Sequence, residues 1–319
     1  MLIALTFAAA LVVGLIVTPL VRGFAHHRGL LDHPGGRKVH QVPIPRLGGV
    51  AMAIAIAVAI GGATIASPDL GSTLGLRPNR APAILVGVGL LLVVGIVDDV
   101  RGMRALVKLG FQVAAAIFAW WLGLSIDRLY FPWGIVELGP LALPFTVAWV
   151  VGVINAINLI DGLDGLAAGV VLTVLGAFGL LAAGDGVDPT LFIVAATMGA
   201  AVGFLAYNLH PASIIMGDTG SMVLGFIVAA VAISLMQDGV HPQPPWVPII
   251  ALGVPIIDTI WAVVRRTARG APFFQADRGH IHHQLLRLGF SQRDAMLSLT
   301  AASGGLAIIA VLLGRLAQR

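Results

Sequence analysis

The sequence predicts an all-α polytopic membrane protein with about ten transmembrane helices, and three observations carry that reading. Hydrophobic residues make up 58% of the 319 and charged residues 11%, against about 25% charged in soluble domains. Mean hydropathy is +0.97. Apolar stretches of about 20 residues recur from end to end, each long enough to cross a ~30 Å hydrocarbon layer as helix. Helices satisfy their own backbone hydrogen bonds in lipid, so a helical bundle is the natural solution. The 40 glycines are scattered through these runs, which fits close helix packing. Residues 1–319 read as a single integral-membrane domain, without internal repeat, low-complexity tract or soluble domain.

Spans are expected at residues 2–22, 47–66, 81–98, 106–124, 141–157, 164–183, 189–208, 219–237, 246–264 and 295–314. The first has no basic residue before it and Arg22 and Arg28 after it. A signal peptide has the opposite polarity, so this reads as a retained helix. Ten crossings put both ends on one side. The odd-numbered connections hold Arg22, Arg28, Arg37, Lys38, Arg46, Arg101, Arg104, Lys108 and the arginines between 265 and 293, most of the 19 basic residues. The excess of positive charge makes that side cytoplasmic and places both termini outside. The outer stretch from Ile126 to Leu138 alternates polar and apolar residues around Tyr130, Phe131 and Trp133. It reads as an aromatic interface segment, with a short hairpin as the alternative. The chain has no cysteine, which excludes disulfides and thiol catalysis.

Ionisable groups at the ends of apolar runs are costly and mark functional sites by default. Asp98 and Asp99 close the third span. Adjacent acids repel unless a cation or basic partner lies between them. Asn155, Asn158, Asp161 and Asp164 are spaced by three. Neighbours in that series lie together on a helix, but over its whole length the spacing drifts by about half a turn. Gly162 and Gly165 allow a break, so the segment reads as a helix end, a turn and a new helix near Asp164. Asp218, in Met216-Gly217-Asp218-Thr219-Gly220-Ser221, opens the eighth span, where an isolated acid would read as an N-cap.

Together these hard oxygen ligands point to Mg²⁺ and a phosphate-bearing substrate. The loop from Arg265 to Gly289 adds Arg265, Arg266, Arg269, Arg278, His280, His282 and His283. Arginine forks suit phosphate. The histidines fit phosphate better than a transition metal, because cysteine is absent and the acids favour a hard ion. His26, His27, His33 and His241 read as ordinary loop residues. Asp258, inside the ninth span, reads as structural or as a support of the site. A cation- or proton-coupled transporter is the competing class. Its acids would sit near the bilayer midplane, whereas these gather at one face.

The motifs, taken in order, resemble the polyprenyl-phosphate N-acetylhexosamine-1-phosphate transferase superfamily. They are Arg37-Lys38-Val39-His40 with Pro43-Ile44-Pro45-Arg46-Leu47-Gly48-Gly49, Asp98-Asp99 with Lys108 and Gln112, NAINLIDGLDGLAAG at 155–169, GDTGS at 217–221 and HIHHQLLRLGF at 280–290. Asp277-Arg278-Gly279-His280-Ile281-His282-His283 resembles the WecA/TagO-like branch, which transfers GlcNAc-1-phosphate. The branch that transfers phospho-MurNAc-pentapeptide, typically with three consecutive histidines, is the alternative. Gln284 departs from the usual bulky residue after the histidines.

The resemblance implies catalytic loops on the cytoplasmic side of an inner or plasma membrane. It implies transfer of GlcNAc-1-phosphate from UDP-GlcNAc to a polyprenyl (undecaprenyl-type) phosphate with release of UMP, the first membrane step of a cell-envelope polysaccharide pathway. It implies Mg²⁺, with Mn²⁺ as the alternative ion. Asp218 is the leading metal ligand, with Asp161 or the Asp98–Asp99 pair completing the shell. Asp98 is the candidate base, and Asp98, Asp99, Asp161, His280, His282 and His283 form the catalytic set. Lys38, His40, Lys108, Asn155, Asn158, Asp164 and Arg265 form the substrate-binding set, with Asn158 and Asp164 at the uridine. The expected partners are the nucleotide sugar, the lipid phosphate and the bilayer. A homodimer is left open, and nucleic acid is not expected.

Overall fold

A computed structural model describes residues 1–35, 42–67, 80–183, 190–237, 241–270 and 279–318. Helix α1 (Leu2–His27) leads into two paired two-residue strands, β1 (Leu31–Asp32) and β2 (Ile44–Pro45). Helices α2 (Gly48–Ala66), α3 (Arg80–Arg101) and α4 (Ala105–Trp121) follow. The antiparallel hairpin β3 (Arg128–Phe131) and β4 (Gly134–Glu137) precedes α5 (Ala142–Ile160), α6 (Leu166–Ala182), α7 (Thr190–Asn208) and α8 (Gly217–Met236). The chain ends with α9 (Trp246–Ala251), α10 (Gly253–Ala268), α11 (Ile281–Arg287) and α12 (Gln292–Ala317).

Among the described residues, seven segments are long and apolar enough to cross a membrane: Leu2–His27, Gly48–Ala66, Pro82–Arg101, Gly139–Ile160, Thr190–Asn208, Gly217–Met236 and Gln292–Ala317. Helices α4 and α6 are shorter apolar helices. The remaining expected span, 246–264, is interrupted, because α9 stops at Ala251 and α10 restarts at Gly253. Pro255 has no amide proton to return to the Ala251 carbonyl, and the ladder resumes only with Ile256 donating to Leu252 at 3.0 Å. The aromatic stretch after α4 folds as the hairpin, with Phe131 stacked on Trp133 at 4.9 Å. His26 and His27, expected in a loop, form the last turn of α1.

Helix α8 sits at the centre. Every residue from Thr219 to Met236 is buried, and α2, α3, α5, α6 and α7 pack around it. A helix that is apolar on all sides must be enclosed in this way. Helix α1 lies outside, against α2 and α7, with Leu5, Ile16 and Leu20 exposed as lipid-facing residues require. The Gly217–Ser221 motif is therefore the first turn of the most enclosed element, which anchors the site to the core.

Candidate active site

The dispersed acid motifs meet around the N-terminus of α8. Gly217 adopts φ +72°, and a side chain there would run into the Asp99 carboxylate. Asp99 accepts from the backbone N–H groups of Asp218 (2.9 Å) and Thr219 (3.1 Å) and from the Thr219 hydroxyl (2.5 Å). A carboxylate from α3 thus satisfies donors that the start of α8 leaves open.

Asp218 is held from two further directions. Lys108 of α4 pairs with Asp218 at 2.5 Å and also with Asp98. Asn158 of α5 donates to Asp218 and, at 2.8 Å, to Ser221. One ammonium therefore lies between Asp98 and Asp218, rather than between the adjacent Asp98 and Asp99 as their spacing suggested. Asn155, one turn deeper on α5, instead donates to Gln112 of α4 at 2.7 Å and to the Val151 carbonyl at 2.8 Å.

Helix α5 ends at Ile160, Asp161 caps it, and Gly165 at φ +76° starts α6. The break expected near Asp164 is thus present, and it separates the four polar residues as their spacing demands. Asp164 accepts from the Ala212 N–H at 3.0 Å and contacts His210 Nδ1 at 2.9 Å. Among the described residues, no hydrogen bond reaches the Asp161 carboxylate. Burial, followed by the charges of Asp218, Asp99 and Asp164, pushes its pKa up to about 8.

A cavity of about 340 Å³ opens over these groups, lined by Asp32, Arg46, Asp99, Asn158, Asp161, Asp164, Asp218, His283 and neighbouring backbone. Arg46, just after β2, donates to Asp32 of β1 and to the Asp99 carbonyl at 3.3 Å. Asp98, Lys108 and Asn155 are not among the lining residues; Lys108 links Asp98 to Asp218, and Asn155 is engaged by Gln112. Lys38, His40 and Arg278 lie outside the described residues.

The histidine motif packs against the acidic turn. Asp258 of α10 accepts from the Ile281 N–H and contacts His280 Nδ1, both at 2.8 Å. It thereby caps α11 and fixes the His280 ring. His280 stacks on His282 with centroids 5.8 Å apart, and His282 lies 4.2 Å from His283. A side chain at Gly162 would strike the His282 ring, so the glycine of the acidic turn lets the histidines approach. Burial, then His283 and His280, lowers the pKa of His282 to about 4. Of the three histidines, His283 lines the cavity. Arg265 packs against Gly279, just before this motif.

Sequence reasoning did not single out Asp32, Arg46, His210, Thr219 or Gln292 as site residues. One signal was available: Asp32 is the single acid among the first 68 residues. The choice of Asp99 for Thr219, or of Asp164 for His210, has no signature in residue spacing.

Comparison with known proteins agrees with this geometry. Residues 81–236, which contain Asp98, Lys108, the 155–165 segment and Asp218, match the model of glycosyl transferase family 4. The chain is 37% identical over 297 residues to the probable undecaprenyl-phosphate N-acetylglucosaminyl 1-phosphate transferase of Bacillus subtilis (strain 168), covering 92% of this chain and 80% of that protein. It is 35% identical over 321 residues to the decaprenyl-phosphate N-acetylglucosaminephosphotransferase of Mycolicibacterium smegmatis, covering 92% and 78%. It is 30% identical over 299 residues to the undecaprenyl-phosphate alpha-N-acetylglucosaminyl 1-phosphate transferase of Escherichia coli (strain K12), covering 91% and 78%. With relatives aligned over most of both chains and the family's matched region holding the clustered acids, the chain belongs to glycosyl transferase family 4.

Proposed function

We propose that the chain transfers GlcNAc-1-phosphate from UDP-GlcNAc to a polyprenyl phosphate, releasing UMP. The names of its relatives support the reaction. The observation that carries it is the acid cavity itself, with Asp161, Asp164 and Asp218 in its wall. An acceptor phosphate oxygen attacks the β-phosphorus. The bond from that phosphorus to the bridging oxygen breaks, and its electron pair leaves with UMP. Much of a phosphate monoester is already a dianion at neutral pH, its second pKa being about 6. The task left to the protein is positioning and charge management.

The donor set fits Mg²⁺, or Mn²⁺ in its place. Asp161 and Asp218 offer hard oxygens, and Asp161 has no competing hydrogen bond among the described residues. No group of three or more His, Asp or Glu is arranged among the described residues to hold an ion by itself. Mg²⁺ commonly takes one or two carboxylates and completes its shell with substrate phosphate and water. When bound, it would neutralise the diphosphate against the surrounding acids.

Lys108 and Asn158 hold Asp218 in place, and Asp99 fixes the turn from which it projects. Asp98, linked to Asp218 through Lys108, acts in this reading as a positioning residue. Arg46 and His283 bring cationic or donor groups to the wall. Asp258, His280 and His282 set the position of His283. Asp164, with His210, lies at the end proposed for the uridine. The nine apolar helices and the broken α9–α10 pair together make ten crossings of the inner or plasma membrane. The site would then face the cytoplasm, where the basic loops lie, with both termini outside.

Purified protein given UDP-GlcNAc, undecaprenyl phosphate and Mg²⁺ should release UMP and form the lipid-diphosphate sugar. It should fail with UDP-MurNAc-pentapeptide. Release of UMP from the pentapeptide donor alone would overturn the assignment.

A further inference from the structure

A second cavity lies behind the strand that walls the first. It measures about 370 Å³ and is lined by Arg22, Gly23, His26, His27, Pro45 and Ser213. One backbone layer divides the two. Arg46 and Ile215 line the acid cavity, whereas Pro45 and Ser213 line this one. The layer is closed by the Ile215 N–H donating to the Pro45 carbonyl at 3.0 Å.

The two cavities are opposite in charge. Three of the six residues lining the second are arginine or histidine, and none is acidic. Asp32, the single acid among residues 1–68, is engaged by Arg46. Among the described residues, no acid pairs with Arg22, His26 or His27. Arg22 is held in place rather than free to swing. Its guanidinium carbon lies 5.8 Å from the centre of the Tyr207 ring, and the Tyr207 hydroxyl donates to the Leu15 carbonyl at 2.9 Å. The cavity also sits at the last turn of a membrane-crossing helix, where exposed Leu20 and Phe24 of α1 present apolar surface.

We propose that this cavity binds the phosphate headgroup of an anionic membrane phospholipid. Cationic pockets beside transmembrane helices recognise such headgroups, and a guanidinium matches phosphate geometry. The apolar flank of α1 receives the acyl chains, which a free phosphate ion lacks. A polyprenyl phosphate carries similar headgroup chemistry, so the test separates the two lipids.

Gly23 provides the sharpest probe, because a side chain placed there meets nothing within 4 Å. Gly23→Glu puts a carboxylate beside Arg22, on a β-carbon that meets nothing within 4 Å, and Gly23→Ala is its control. The full-length protein in zwitterionic detergent is exposed to phosphatidylglycerol, phosphatidylcholine with the same acyl chains, or undecaprenyl phosphate. Native mass spectrometry then counts retained lipid. Phosphatidylglycerol retention should fall about fivefold or more in Gly23→Glu and in Arg22→Gln, from a contribution of about 1 kcal/mol per basic residue. Phosphatidylcholine retention should not change, and Gly23→Ala should match the parent. Equal phosphatidylglycerol retention in all proteins would overturn the proposal. Loss of undecaprenyl phosphate alone would also overturn it and give the cavity to the acceptor lipid. UMP release in the same detergent should persist in Gly23→Glu, which separates this proposal from the one for the acid cavity.

Discussion

Asp99 and Asp161 line the same cavity with the same chemical group, yet their surroundings leave them different tasks. Asp99 accepts three hydrogen bonds from the first turn of α8. Its charge is consumed in building that turn. Asp161 receives none from the described residues and is crowded by the charges of Asp218, Asp99 and Asp164. An acid held in that state favours a proton or a cation. A cluster of carboxylates in one cavity is therefore not a set of equivalent ligands. Hydrogen-bond accounting divides it into acids that build and acids that act. Asp258 repeats the building role on α11, where it accepts from Ile281 and fixes His280.

That division is most severely tested at Asp218, which does both. Asp218→Asn should lower turnover at least ~100-fold, because a neutral amide is a poor ligand where charge must be offset. The protein should still assemble, since Asp99 contacts the backbone of residue 218 rather than its side chain. Asp99→Asn should behave differently. Losing part of a three-bond carboxylate cap costs on the order of 3 kcal/mol, read as a lower thermal midpoint together with reduced turnover. Asp258→Asn should be milder, since the amide oxygen can still accept from Ile281. Weaker orientation of His280 should lower kcat by about tenfold, in the range for groups that orient a site residue, with little change in thermal midpoint.

The smallest effect concerns acid. His282 is neutral in the fold, with its pKa lowered to about 4, while the unfolded chain takes up that proton near 6.5. Stability from this group is present above about 6.5 and is lost as pH falls toward 4. The thermal midpoint should decline over that window. His282→Asn should show a shallower decline, and an identical slope would remove His282 from the account.

The helices were legible because their apolar runs are long, and the break after Asp161 was legible because glycines interrupt a drifting polar series. The break between α9 and α10 was hidden by that same apolarity, although Pro248 and Pro255 stood in the run. Each of the five motifs supplies at least one residue to the cavity wall. Motif spacing could not say that Asn155 would pair with Gln112 while Asn158 reached Asp218. Both asparagines sit on α5, and only the packing of α4 and α8 against it decides between them. Arg46 was visible as part of a motif, but its partner Asp32 depends on the β1–β2 pairing of two-residue strands, too short to leave a pattern. Lys38 and His40 fall outside the described residues.

The central claim is that Asp161 is left for the cation and substrate while Asp99 holds the fold. The direct measurement is Asp161→Asn, followed in parallel by thermal unfolding in EDTA and by UMP release in Mg²⁺. Replacing a carboxyl whose ionised form is disfavoured by burial and by three neighbouring acids should leave the midpoint in EDTA at or above that of the parent protein. UMP release should fall at least ~100-fold. Near-parental turnover, or a midpoint lowered as far as that of Asp99→Asn, would contradict the account.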